Sequence, residues 1–171
     1  MRILCISGSI RQNSTCSTIL RTIAGRHGRQ ADFIFYDELA LLPHFDPDAE
    51  DAAIPGIVQK LRDNIVAADA VIICTPEYVF SVPAIIKNAL EWCVGSTVFT
   101  DKPTAMIVAT GVGEKTFESL GLILKTIQCR ILPGTQLHLK GVRAKMLTGE
   151  LRDDEVLTRL DALYQALVTP S

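Results

Sequence analysis

Four hydroxyl side chains and a guanidinium crowd one short run, Ser7-Gly8-Ser9-Ile10-Arg11-Gln12-Asn13-Ser14-Thr15. An apolar stretch, RILCIS at residues 2 to 7, ends there, and a helical pattern starts at residue 14. A strand turning into a helix leaves backbone N–H groups converging on one spot, at the positive end of a macrodipole equal to about half an elementary charge. Ser9, Ser14 and Thr15 add hydroxyl donors, and Arg11 adds a permanent cation whose fork matches phosphate oxygens. That chemistry suits a phosphomonoester. An ordinary capped helix with a surface arginine fits the same residues. Gly8 lacks the further glycines of G-x-G-x-x-G, and the Walker lysine is absent, which disfavours both of those nucleotide loops.

A second stretch, TPEYVFSVPAIIKNALEW at Thr75 to Trp92, offers a different surface. Pro76 and Pro83 stiffen a loop in which Tyr78 and Phe80 set apolar faces beside polar backbone, a setting for a flat heterocycle held by amides. Tyr78 filling a gap in the core is the competing reading. Glu77 is either an exposed loop carboxylate or an oriented partner. The five cysteines show no CxxC pairing and read as free thiols, with Cys5 and Cys74 inside apolar runs as small buried hydrophobes. Cys16, near a helix start, is either a thiolate activated by the dipole and Arg11 or an unreactive small side chain. His27, His44 and His138 lack ligand spacing, so no metal site is expected.

The elements that must carry these residues alternate. Nearly continuous apolar runs at residues 2 to 7, 32 to 36, 70 to 75 and 104 to 109, with a weaker one at 135 to 139, read as strands buried on both faces of a parallel sheet. Helical spacing fills the intervals: residues 14 to 27, Ile54 to Ile65, Ile86 to Cys93, Phe117 to Ile127, and a last helix capped by Asp153. Pro55 and Pro83 suit first turns, and Ser81 suits a cap for the helix carrying Pro83. This alternation predicts an α/β three-layer sandwich with a five-stranded parallel sheet in the order 2-1-3-4-5. Ligands bind beyond the carboxyl ends of such strands, so Ser7 to Ser14, Thr75 to Ser81 and Thr110 to Gly113 should meet. Residues 37 to 53 form an irregular stretch long enough to be functional or interfacial; Phe45 and Trp92 read as core.

A chain of 171 residues fits one domain, 1–171. Hydrophobic residues at 48% and a balance of 17 basic to 19 acidic side chains argue against disorder and against a broad nucleic-acid surface. MRILCIS is too short for a signal peptide or membrane span, which predicts a cytoplasmic protein with no membrane partner.

Three motifs together are similar to the NADPH-dependent FMN reductase family: G-S-x-R-x-x-S at Gly8, Ser9, Arg11 and Ser14; L-P-x-x-D at Leu42, Pro43 and Asp46; and ADAVIICTPEY...SVPAIIKNALEW from Ala68 to Trp92. The resemblance implies a flavodoxin-like fold that binds FMN, oxidises NADPH or NADH, and passes electrons to free flavin, quinones or other small acceptors, as a homodimer or homotetramer. It assigns Ser9, Arg11 and Ser14 to the phosphate, with Thr15 and Cys16 at the same helix start. Pro76, Glu77, Tyr78 and Ser81, with Val79 and Phe80 in the same loop, would lie along the isoalloxazine, and Thr110, Gly111 and Gly113 would form the third loop. No protein nucleophile or general base is implied. Cys16 and Val79 stand where many relatives have Asn. An FMN-binding electron carrier or redox sensor would share the fold, and those two losses also admit a pocket for another phosphorylated ligand.

Overall fold

The computed structural model describes residues 1–11, 13–147 and 149–169. Gln12 in the first loop, Thr148, and Pro170 and Ser171 at the end of the expected 1–171 span lie outside the described residues. Strands β1 (Arg2–Ser7), β2 (Asp32–Tyr36), β3 (Ala70–Thr75), β4 (Thr104–Thr110) and β5 (Gln136–Lys140) form one sheet in the order β2-β1-β3-β4-β5. Every neighbouring pair is parallel. β3 is buried along its whole length and β4 at all but its last residue, so both faces must be apolar and the runs do not alternate.

Helices α1 (Thr15–His27), α2 (Pro47–Ala52), α3 (Gly56–Ala67), α4 (Ala84–Glu91), α5 (Glu114–Thr126) and α6 (Asp154–Val168) follow in chain order. α1 and α6 bury their apolar stripes on one face of the sheet, around Ile19, Ile23, Leu160 and Tyr164. α3, α4 and α5 cover the other, around Leu61, Ile65, Ile86 and Leu120. This is the flavodoxin-like α/β/α sandwich that the motifs imply. No helix among the described residues is long and apolar enough to cross a membrane.

Of the two caps expected, at Asp153 and Ser81, only the first forms, and Ser14 caps α1 as well. Ser14 Oγ accepts from the Ser17 N–H at 3.0 Å to start α1, and Asp153 Oδ1 accepts from the Val156 N–H at 3.0 Å to start α6. Ser81 does not cap α4. Pro83 occupies that position without a side-chain bond, because Ser81 is paired through its backbone to Tyr78.

The long stretch from residue 37 to 53 is more ordered than expected, with a tight 3₁₀ turn at Leu39–Leu41 and α2, whose start Asp46 caps. Asn88 of α4 clamps it: the Phe45 N–H donates to Asn88 Oδ1 at 2.8 Å, and Asn88 Nδ2 donates to the Pro43 carbonyl at 2.9 Å. Trp92 Nε1 donates to the same carbonyl at 2.8 Å, and Phe45 packs edge-on to the buried Trp92 ring at 5.1 Å.

On the opposite face α1 and α6 are clasped by charge. Arg26 and His27 both bond Asp161, His27 Nε2 at 2.8 Å from Oδ1, and the His27 ring stacks on Tyr164 at 3.9 Å. The Arg26 hydrogen bond, helped by that of His27 and opposed by partial burial, holds the Asp161 carboxyl below its ordinary value. A carboxyl depressed in the folded state stabilises fully above its unfolded pKa, about 3.9 for Asp, and loses that contribution as pH falls through the folded value. Asp161→Asn is therefore expected to unfold at lower urea than the wild type at pH 7, with the gap closing as pH is lowered from 4 towards 2 (about the range in which such a carboxylate titrates). A gap independent of pH would mean that the carboxylate's charge does not hold the two helices.

Candidate functional site

The first loop leaves β1 pressed against β3. Pairing continues one residue beyond the strand, where the Gly8 N–H donates to the Cys74 carbonyl at 2.8 Å. A Cβ on Gly8 would stand 2.3 Å from Thr75 Oγ1, so only glycine lets the loop cross the end of β3 this closely. α1 then starts with the N–H groups of Thr15 and Cys16 lacking intrahelical acceptors. Ser14 Oγ also lies 2.8 Å from Ser17 Oγ. When Ser17 donates across that contact, the Ser14 hydroxyl keeps its own proton for a ligand.

The second loop closes in a tight turn, with Tyr78 and Ser81 exchanging backbone hydrogen bonds of 3.1 and 3.0 Å. Between them Val79 and Phe80 have φ of 53° and 54°, the two positive angles of a type I′ turn that Asn-Gly usually fills. Val79 is 95% and Phe80 73% exposed, so little packing compensates a conformation that disfavours both residues by about 1–2 kcal/mol each.

Glu77 resolves as an oriented partner. Its carboxylate accepts from the Gly113 N–H at 3.2 Å and from Thr116 Oγ1 at 2.9 Å, placing a negative charge at the N-terminus of α5 and tying the second loop to the third. Gly113 makes the turn with φ of 78°, and a Cβ there would lie 2.0 Å from Thr110 Cγ2.

These loops enclose a cavity of about 1050 Å³ at the carboxyl edge. Of the sequence-derived candidates, Ser9, Arg11, Ser14, Thr15 and Cys16 line it from the first loop and α1. Pro76 and Tyr78 line it from the second loop, and Thr110 and Gly111 from the third. Glu77, Val79, Phe80, Ser81 and Gly113 are not in the wall. Glu77 and Gly113 bond each other beside it, while Val79, Phe80 and Ser81 are exposed at the turn.

Cys16 is 1% exposed and packs in the core with Cys5 and Cys74, so the activated-thiolate reading fails on access and the unreactive small side chain stands. Burial pushes the Cys5 thiol up to about 12 and raises Cys74, which also hydrogen-bonds Cys16. Among the described residues no cluster of three or more His, Cys, Asp or Glu is arranged for a metal.

Sequence reasoning missed the fourth side of the cavity. After β5, Gly141 in a left-handed conformation leads into a 3₁₀ turn, Val142–Lys145, and a small antiparallel hairpin of β6 (Met146–Leu147) and β7 (Glu150–Leu151). This strap supplies Val142, Arg143, Ala144 and Met146 to the wall, and the Gly141 N–H donates to the Thr110 carbonyl at 2.7 Å. The available signal was Gly141-Val142-Arg143 at the carboxyl end of a strand, where the rule that located the other three loops applies equally. Among the described residues that line the cavity none is Asp or Glu, whereas Arg11 and Arg143 are both there. Two guanidinium groups suit the cavity to a phosphorylated ligand.

Residues 1–142 match the family model described as NADPH-dependent FMN reductase. A NADH:(hydroxy)cinnamate reductase subunit, CrdA, of Vibrio ruber is 34% identical over 98% of this chain and 86% of that protein. An NADPH:quinone oxidoreductase of Arabidopsis thaliana is 36% identical over 66% of this chain, a match that spans only 59% of the plant protein. Among solved structures, FerB, a flavoenzyme NAD(P)H:(acceptor) oxidoreductase from Paracoccus denitrificans, superposes with a TM-score of 0.83 over 97% of this chain and 96% of that one, at 24% identity, and so shares the fold.

Two substitutions test the loop geometry. Val79→Asn, which tolerates positive φ, is expected to stabilise the protein by about 1 kcal/mol in urea unfolding; destabilisation would show that the turn is not strained. Glu77→Ala is expected to destabilise by about 1–3 kcal/mol and to speed hydrogen exchange at Gly113 and Thr116. Exchange at wild-type rates would mean that the carboxylate does not hold α5.

Proposed function

Because the chain belongs to the NADPH-dependent FMN reductase family, we propose that it works as an FMN-dependent NAD(P)H oxidoreductase that passes electrons to a quinone, a flavin or another small acceptor. The observation that carries this reading is the cavity itself: a wall at the start of α1 that holds Arg11 and the hydroxyl side chains of Ser9, Ser14 and Thr15 on one side and Pro76 and Tyr78 on another. The donor set fits FMN. Bound there, FMN would supply the redox chemistry, accepting hydride equivalents from a nicotinamide and releasing electrons to an acceptor.

The chain's own residues bind and orient. Arg11, the hydroxyls of Ser9, Ser14 and Thr15, and the free N–H groups of Thr15 and Cys16 would hold the phosphate. Because backbone donors do part of this, Cys16 in place of Asn costs a side-chain amide and leaves the helix terminus intact. Pro76, Tyr78, Thr110 and Gly111 would flank the ring, and Glu77, bonded to Gly113 and Thr116, would keep the second and third loops at fixed separation. Val79, Phe80 and Ser81 stand at the rim, where an acceptor or a second subunit would meet them. No side chain is required to move a proton.

The finer parts of the reading are one FMN-binding domain over 1–171, a cytoplasmic location, and a homodimer or homotetramer. Support for the oligomer comes from exposed apolar side chains in the three loops, Ile10, Tyr78, Val79, Phe80 and Val112.

An absorption spectrum after adding FMN and removing the excess, followed by anaerobic NADPH and NADH, tests this function. Flavin bands that bleach within the turnover time are expected; bound flavin that does not bleach would indicate a carrier or sensor, and no bound flavin a different phosphorylated ligand. Arg11→Ala is expected to bind FMN about tenfold to a hundredfold more weakly, the loss of one charge-assisted contact, and to recover activity in excess FMN. Unchanged affinity would remove Arg11 from the phosphate site.

A further inference from the structure

The strap puts a second guanidinium, that of Arg143, into the cavity wall. Lys145 of the same turn bonds Asp153 at 3.1 Å, and Arg152 beyond the hairpin bonds Glu150. Arg143, exposed between the buried Val142 and the exposed Ala144, makes no ion pair with any described residue. Among the described residues that line the cavity none is acidic. Its backbone is well anchored: the Ala144 N–H donates to the Gly141 carbonyl at 3.0 Å, and the Gly141 N–H donates to Thr110 at 2.7 Å. Arg143 is thus attached to the third loop, whereas Arg11 belongs to the first.

One phosphomonoester, seated on Arg11 and the start of α1, accounts for the first cation. The cavity, at about 1050 Å³, lies at the upper end of the about 300–1,000 Å³ that one small ligand occupies, so a second molecule has room.

We infer that Arg143 is a second oxyanion site, separate from the cofactor phosphate, that selects for an anionic group on the second substrate: the ribose 2′-phosphate of the nicotinamide donor or a carboxylate of the acceptor. The inference rests on the oxidoreductase reading above. A guanidinium fork binds either oxyanion in two parallel hydrogen bonds, and its charge is undiminished at any working pH.

The test uses the FMN-loaded protein and its Arg143→Gln and Arg143→Lys variants. Calorimetric titration with NADP⁺ and NAD⁺, neither of which reduces the flavin, examines the donor. Steady-state kcat/KM with 1,4-benzoquinone and with its 2-carboxylate examines the acceptor. One arm is expected to show selective loss: Arg143→Gln binds NADP⁺ about tenfold to a hundredfold more weakly with NAD⁺ unchanged, or loses as much kcat/KM for the carboxylated quinone alone. The first result names the donor phosphate as the source, the second the acceptor carboxylate. Arg143→Lys, a point charge without the fork, should retain part of the discrimination. Equal losses for charged and neutral partners, no loss in either arm, or a matching fall in FMN affinity would each overturn the assignment; the last would give Arg143 to the cofactor's own phosphate. Failure of the underlying reading is visible separately, as wild-type protein that takes up no FMN or is not reduced by NAD(P)H, and the assignment falls with it.

Discussion

The carboxyl edge of the sheet is organised by the close crossing of Gly8 over Thr75. Parallel pairing of β1 with β3 brings the first loop to the end of the central strand, and the missing side chain at Gly8 lets pairing run on to the Cys74 carbonyl. Two further ties extend that contact outward: Glu77 joins the second loop to the start of α5, and Gly141 joins the strap to Thr110. The backbone bonds are worth only about 0.5–1.5 kcal/mol net each, and those to the Glu77 carboxylate about 1.5–3 kcal/mol. Their effect is positional. Each ends on a strand or helix terminus whose other side is buried, so four loops far apart in sequence are held as one rigid rim.

The distribution of strain and inertness around the rim follows from the same arrangement. The sheet interior tolerates no misfit, and β3 and β4 are packed on both faces. Positive φ at non-glycine residues falls instead in turns, at Asp101 and Gln128 and, within this rim, at Val79 and Phe80, a two-residue tip that touches little. Cys5 and Cys74 lie beneath the first loop with their thiols held protonated by burial, so sulfur here is packing material and not a nucleophile.

The sheet and its order were legible because a strand buried on both faces has no solvent side to encode, and continuous runs such as AVIICT admit few other readings. The first three loops were legible for a related reason, since glycine, proline and hydroxyl residues crowd the ends of those runs. The strap was not. Its two strands, Met146–Leu147 and Glu150–Leu151, hydrogen-bond to each other outside the main sheet, and two-residue strands carry no periodicity. Glu77 could not be decided from sequence because its partners lie 36 and 39 residues away, and the choice between exposed and oriented depends on where α5 starts. Ser81 misled because a hydroxyl before a proline resembles a cap, whereas the turn at Val79–Phe80 had already claimed its backbone.

The attachment of the strap has an evolutionary reading. The phosphate loop is locked: a methyl group at Gly8 would collide with the central strand. Arg143, by contrast, is carried on a segment outside the sheet, docked by the Gly141 hydrogen bond and by its own short hairpin. Substitutions there can recolour one side of the cavity without disturbing the start of α1. A stretch of roughly ten residues (a length typical of a surface loop) can therefore vary in sequence while the crossing at Gly8 and the start of α1 keep their geometry.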